Sequence, residues 1–193
     1  MLFGRIHLAG TIVFAVTAIS LAVSQTQAAA PANQDDVIQK DFGSRVAKYL
    51  SLRKKQAGSS PKPTESSAKL AESRRGMAAK THAARPYAKQ GDIFTPEIGA
   101  YFRRQLAAAL AGPNGAKIRA SLRHAEPTSG FTPRVNEGYP QGEPLQSTPP
   151  TLLLHLPRLP KELQYRIIGR DFVLYDTAPN VIVDVIPGAL PAP

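Results

Sequence analysis

Proton transfer, nucleophilic attack and metal binding each need particular side chains at particular spacings, and this chain offers few of them. It has no cysteine, and beyond residue 30 its histidines are His82, His124 and His155. None of the three has a second His, Asp or Glu three or four residues away, the spacing at which one turn of helix presents two ligands to a metal. No metal site and no cofactor site is expected. His155 lies inside the apolar run Leu152 to Leu156 and reads as a half-buried packing residue. The serines form no G-x-S-x-G elbow, and Lys89-Gln90-Gly91-Asp92 lacks the glycine pattern and the Lys-Ser/Thr pair that cradle phosphates. The acids after residue 150 are Glu162, Asp171, Asp176 and Asp184. A hydrolytic dyad would need two of them in one cleft. No catalytic residue is assigned, and the chain reads as a non-enzyme.

All four of these acids belong to the stretch most plainly patterned as packed β structure, Leu156 to Ile186. Ile168-Gly169-Arg170-Asp171 places glycine at the first central position of a two-residue hairpin loop, which suits a type II′ turn. That turn pairs Ile167 with Phe172 and Tyr165 with Leu174 on one apolar face, with Arg166 and Val173 on the other. A four-residue loop over Thr177 to Asn180 then sets Val183 opposite Leu174 and Val185 opposite Phe172. In this register Asp184 points away from the core and neighbours Arg166. A three-stranded meander results, with Phe172, Leu174, Val183 and Val185 buried together on its one apolar face. Gly169, Arg166 and Asp184 carry structural roles in it.

A meander with one apolar face needs a cover. Thr95-Pro96-Glu97 is a strong helix start, with a capping hydroxyl, proline in the first turn and an acid beside it. Ile98, Tyr101, Phe102, Leu106, Ala109 and Leu110 then share one stripe, and Gly112-Pro113 stops the helix. This helix and Leu152 to Leu156 are the predicted lid. Upstream, a helix from about Asp35 to Gln56 carries Ile38, Phe42, Val46, Tyr49 and Leu50 and ends in Arg53-Lys54-Lys55. A second, from about Ser66 to Ala84, has only Leu70 and Met77 as large apolar residues and is expected to be exposed or loosely docked. A shorter helix is expected from about Asn114 to His124, and an edge strand over Phe131 to Asn136.

The fold class is therefore α+β: a basic, mostly helical N-terminal half and a small C-terminal three-stranded antiparallel meander covered by a helix. The expected organisation is a signal peptide (1–28), an amphipathic helix (29–56), a linker (57–65), a helical region (66–125), a Pro/Gly-rich connection (126–150), and a short helix plus meander (151–193). The signal rests on Arg5, the apolar run Leu8 to Val23 and the small residues at 26–30, in a stretch shorter than the roughly 20 residues of a membrane span. It points to a periplasmic or secreted protein, and the lack of cysteine leaves folding there to ordinary packing.

Charge is lopsided. Residues 31–125 hold 18 Lys+Arg against 7 Asp+Glu, and residues 126–193 hold 5 against 7. Such a half can face an anionic envelope component or an acidic protein. Nucleic acid is disfavoured, because aromatics are not interleaved with the cations as stacking platforms require. The candidate contacts are Arg53, Lys54, Lys55, Arg103, Arg104, Arg119 and Arg123.

Phe42 to Lys55, Ala88 to Ile98 and Ser147 to Asp184 together resemble a family of uncharacterised exported bacterial proteins, which implies one coherent unit and no assigned activity. Leu156-Pro157, Tyr165, Gly169 with Phe172-Val173-Leu174, Asp176-Thr177 and Val181-Ile182 are more faintly similar to the periplasmic nickel and cobalt homeostasis (RcnB-like) family, although no histidine-rich approach precedes them. The expected function is that of an exported, non-catalytic interaction protein of the periplasm or envelope. The alternatives are a metal-responsive accessory protein, implied by the second resemblance, and a hydrolase whose carboxylates assemble from distant residues.

Overall fold

The computed structural model describes residues 32–57, 66–123, 130–140 and 147–191. The predicted signal peptide, nearly all of the linker, and His124 lie outside them. Among the described residues five helices precede three strands: α1 (Ala32–Ala57), α2 (Ser67–Ala84), α3 (Pro96–Ala111), α4 (Gly115–Arg123), α5 (Pro150–Leu153), β1 (Leu163–Ile168), β2 (Asp171–Asp176) and β3 (Val181–Ile186). The strands form one antiparallel sheet in the order β1-β2-β3, so the chain is α+β with a meander.

The first hairpin has the expected register, with Ile167 opposite Phe172 and Tyr165 opposite Leu174. Gly169 has φ +60° while Arg170 stays out of the left-handed region, the combination that a type II′ turn requires. The second hairpin turns over Thr177 to Asn180 as expected, pairing Asp176 with Val181 and Tyr175 with Ile182. One step further a β-bulge intervenes, and Asp184, not Val183, becomes the partner of Leu174. A bulge inserts one extra residue and so exchanges the faces of everything beyond it. Val185 consequently pairs with Val173, and Ile186 pairs with Phe172. The expected burial of Val185 beside Phe172 is thus corrected: Ile186 takes that place, and Val185 packs with Val173 on the opposite face.

Asp184 is corrected with it. Instead of facing away beside Arg166, it is fully buried. Its Oδ2 accepts from the backbone N–H groups of Ile93 (2.7 Å) and Phe94 (2.8 Å), and its Oδ1 from Gly91 (3.0 Å) and its own neighbour Val185 (2.8 Å). Burial pushes the carboxyl above the ordinary aspartate range, against the pull of these four donors. Arg166 donates instead to the Ser147 hydroxyl (2.9 Å) and to the side-chain amide oxygen of Gln164.

Both faces of the sheet are covered, where one apolar face was expected. On the first, Phe102 of α3 is the centre of an aromatic cluster, with ring centroids 5.0 Å from Phe42, 5.1 Å from Phe94, 5.7 Å from Tyr165 and 5.8 Å from Phe172. Leu152 and Leu156 join the same core, as the predicted lid requires. Thr95 caps α3 by accepting from the Ile98 N–H. At the turn into α4, a side chain on Gly115 would place its Cβ 1.9 Å from the Leu110 carbonyl oxygen, so only glycine fits there. The second face buries Tyr139, Ile168, Val173, Tyr175, Ile182 and Val185, with Phe131 and Val135 packed against them. The segment expected as an edge strand over Phe131 to Asn136 is not one. It packs Phe131 and Val135 across this face, and only from its last residue onward does the backbone dock along β3, through Asn136 N–H to Ile182 carbonyl, Ile182 N–H to Glu137 carbonyl and Tyr139 N–H to Asn180 carbonyl.

Two substitutions probe this architecture. Phe102→Ala, which empties the centre of the aromatic cluster, is expected to cost about 3–5 kcal/mol of stability. Asp184→Asn replaces one acceptor oxygen with an amide that must face N–H donors, and a loss of about 2 kcal/mol is expected. Urea unfolding of each variant against the parent measures both, and an Asp184→Asn variant as stable as the parent would contradict the amide cage.

Candidate functional site

The basic half is held to the sheet by a buried ionic cluster. Asp176, fully buried at the end of β2, sits 3.1 Å from Nε of Arg53, whose side chain is 5 % exposed. The angle at that nitrogen is outside hydrogen-bonding geometry, so the contact is an ion pair. The same carboxylate oxygen accepts from the Tyr49 hydroxyl at 2.8 Å, and Oδ1 accepts from the Ala178 N–H. Burial pushes the Asp176 carboxyl up, with Tyr49, Arg53 and the Ala178 N–H opposing. Burial and the adjacent carboxylate also drive the Tyr49 phenol far above its ordinary value, which keeps it a donor. Arg53 Nη1 reaches the Met77 sulfur of α2. Arg85, just past α2, lies over the Tyr49 ring at 5.1 Å, faces the Val183 carbonyl and pairs with Asp92 at 3.7 Å.

These contacts make α1 and α2 an antiparallel hairpin, since Tyr49 meets Arg85 while Arg53 meets Met77. The second helix is therefore better docked than its composition predicts. Met77 and Thr81 are buried, Thr81 returns its hydroxyl to the Met77 carbonyl, and Asn136 donates to the carbonyls of His82 and Arg85. A stripe of two large apolar residues is enough when polar contacts supply the rest.

The seven cations expected to meet an anionic partner do not form one patch. Arg53 is withdrawn from the surface by Asp176. Lys54 and Lys55 are exposed at the end of α1. Arg104 pairs with Asp35 at 2.5 Å, near the other end of that helix and about 28 Å away at 1.5 Å per residue. Arg103 donates to the Pro187 carbonyl, and Arg119 closes the end of α3 by donating to the Leu110 carbonyl at 2.6 Å. Arg123 is exposed in the last turn of α4. Further exposed cations, on the helix that runs antiparallel to the end of α1, were not singled out from sequence. They are Lys69, Arg74 and Arg75, on the half of α2 that the hairpin brings alongside, with Glu72 as the acid of that helix. The signal was present in the Ser66 to Ala84 stretch, but only the antiparallel docking joins it to the end of α1.

Among the described residues the four acids named from sequence form no dyad open to a substrate: Glu162 lies near enough to help raise the Asp176 carboxyl, but Asp176 is fully buried. Asp176 and Asp184 are fully buried and bonded as described, and Asp171 accepts from the Gly188 N–H at 2.8 Å. His155 is exposed rather than half-buried. Among the described residues no three His, Cys, Asp or Glu side chains are grouped to hold a metal ion, and no helix is long and apolar enough to cross a membrane.

The ionic cluster makes a quantitative prediction. Arg53→Met strands a buried carboxylate and should cost about 3–5 kcal/mol. Adding Asp176→Leu should recover part of that loss, so that in a double-mutant cycle followed by urea unfolding the pair loses less than the sum of the single losses. Additive losses would show that the two charges do not act as a pair.

No protein-family model, no curated protein and no solved structure matches this chain.

Proposed function

We propose that this is an exported, non-catalytic interaction protein that binds an anionic partner in the periplasm or envelope through the α1–α2 hairpin. The observation that carries this reading is the cationic end of the hairpin. There Lys54, Lys55, Lys69, Arg74 and Arg75 lie exposed, and among the described residues none of them is in an ion pair. Five of the described arginines elsewhere are in ion pairs: Arg45 with Asp41, Arg53 with Asp176, Arg85 with Asp92, Arg104 with Asp35 and Arg134 with Glu137. Surface cations that outnumber the acids beside them, here five against Glu72 on α2, repel one another, a cost that an anionic partner reduces. The apolar run before residue 24 supports export, and the occupied carboxylates support a role without catalysis.

The metal-responsive and hydrolytic alternatives have no grouped side chains in their favour among the described residues.

The test is retention. The chain beginning after the signal segment, immobilised and exposed to envelope extract, is expected to retain a partner at about 0.15 M ionic strength. It should release that partner near 1 M, as the screening length falls from about 8 to about 3 Å. Retention that ignores salt, or no retention at all, overturns the proposal.

A further inference from the structure

The cationic end of the hairpin borders a groove of about 600 Å³. One wall is α2, where Leu70, Ala71, Arg74, Arg75 and Ala78 recur at helical spacing; the other is built from Gly138 to Pro140 and from Pro179 and Asn180. The second wall is firmly placed. Asn180 donates to the Tyr139 carbonyl at 2.7 Å and accepts from the Tyr175 hydroxyl, and Gly138 bridges to Val181 at the start of β3. The groove is thus set between a helix and the rigid turn of the second hairpin.

Its chemistry is specific in two respects. Among the described residues that line it, charge enters only as arginine, with no carboxylate and no lysine. Neither Arg74 nor Arg75 is in an ion pair among the described residues, and both are exposed. The remainder is chiefly apolar: Leu70, Ala71 and Ala78 face Pro140 and Pro179. A guanidinium presents two parallel N–H donors that match a carboxylate, which a lysine cannot do. An inorganic or sugar-phosphate polymer would satisfy the arginines and leave the apolar walls in contact with charge. A peptide carrying acidic residues next to apolar ones satisfies both.

Resting on the reading of the hairpin as the binding face, we infer that this groove takes a short acidic peptide segment of a partner protein, with carboxylates on Arg74 and Arg75 and an apolar side chain between the helix and the two prolines.

The probe is a fluorescein-labelled peptide of alternating Glu and Leu, titrated by fluorescence anisotropy into the chain lacking residues 1–28. Polyphosphate and vesicles containing anionic phospholipid serve as competitors. Saturable binding is expected, weakened at least tenfold by Arg74→Ala/Arg75→Ala and by Ala78→Glu. Arg74→Lys/Arg75→Lys keeps the charge and loses the fork, so a several-fold weakening is expected from it. Lys117→Ala/Lys161→Ala, two exposed cations away from the hairpin, should leave binding unchanged. Circular dichroism and urea midpoints equal to the parent's establish that each variant is folded. Peptide binding that none of the groove variants changes overturns the groove and leaves the salt-sensitive partner of the preceding proposal standing. Polyphosphate or vesicles that bind through Arg74 and Arg75 more tightly than the peptide overturn the ligand class. Failure of peptide, polyphosphate and vesicles alike, together with no retention from envelope extract, removes both readings.

Discussion

A carboxylate placed out of reach of water must be given donors or it will not stay there, and Asp184 imposes that constraint on the rest of the fold. Its four backbone donors come from Val185 and from the turn at Gly91 to Phe94. Fixing that turn fixes Thr95 and hence where α3 begins, and α3 is the helix that carries Phe102 into the middle of the core. The bulge in β3 belongs to the same arrangement. It rotates Asp184 towards the turn, sends Val185 to the second face and brings Ile186 opposite Phe172. One acid therefore sets the register of a strand, the origin of a helix and the division of the side chains between two cores.

Asp176 performs the corresponding task for the helices before the sheet. Arg53 and Tyr49 reach it from α1, and Arg85 then stacks on Tyr49, so the hairpin of α1 and α2 is attached to the meander by charge and hydrogen bonds as well as by Phe42 and Val46. Buried pairs of this kind add little net stability over apolar packing, but they are intolerant of misplacement. Their contribution here is orientation: they decide which half of α2 lies beside the end of α1.

Much of this fold was legible in the sequence. The turn at Gly169, the capped start of α3, its apolar stripe and the loop over Thr177 to Asn180 all follow from local rules, because each is determined by residues within a few positions of one another. The bulge was not legible. Period-two alternation favours the register that exposes Asp184, and the reason to break it lies some 90 residues away in three backbone N–H groups that carry no side-chain signature. The same holds for Arg53, which at the end of a cationic run reads as a surface residue until Asp176 is placed beside it. The second apolar face was hidden for a simpler cause: the segment that covers it has no regular structure, and although Phe131, Val135 and Tyr139 recur every fourth residue, Pro133, Gly138 and Pro140 among them rule out the helix that this spacing would otherwise suggest.

Both edges of the meander are closed by chain that precedes it. Residues around Ser147 and Thr148 lie along β1, with the Thr148 hydroxyl on the Tyr165 carbonyl, and residues 136–139 lie along β3. The helices likewise find their partners far downstream, Tyr49 meeting Asp176 across 127 positions. Contacts so distant in sequence make folding slow, since much loop entropy is lost before any contact is gained. While the chain emerges from a ribosome, its helices have no sheet to rest on until nearly the last strand has appeared. Until then the apolar faces of α1 and α3 stay open to other chains, and folding competes with association.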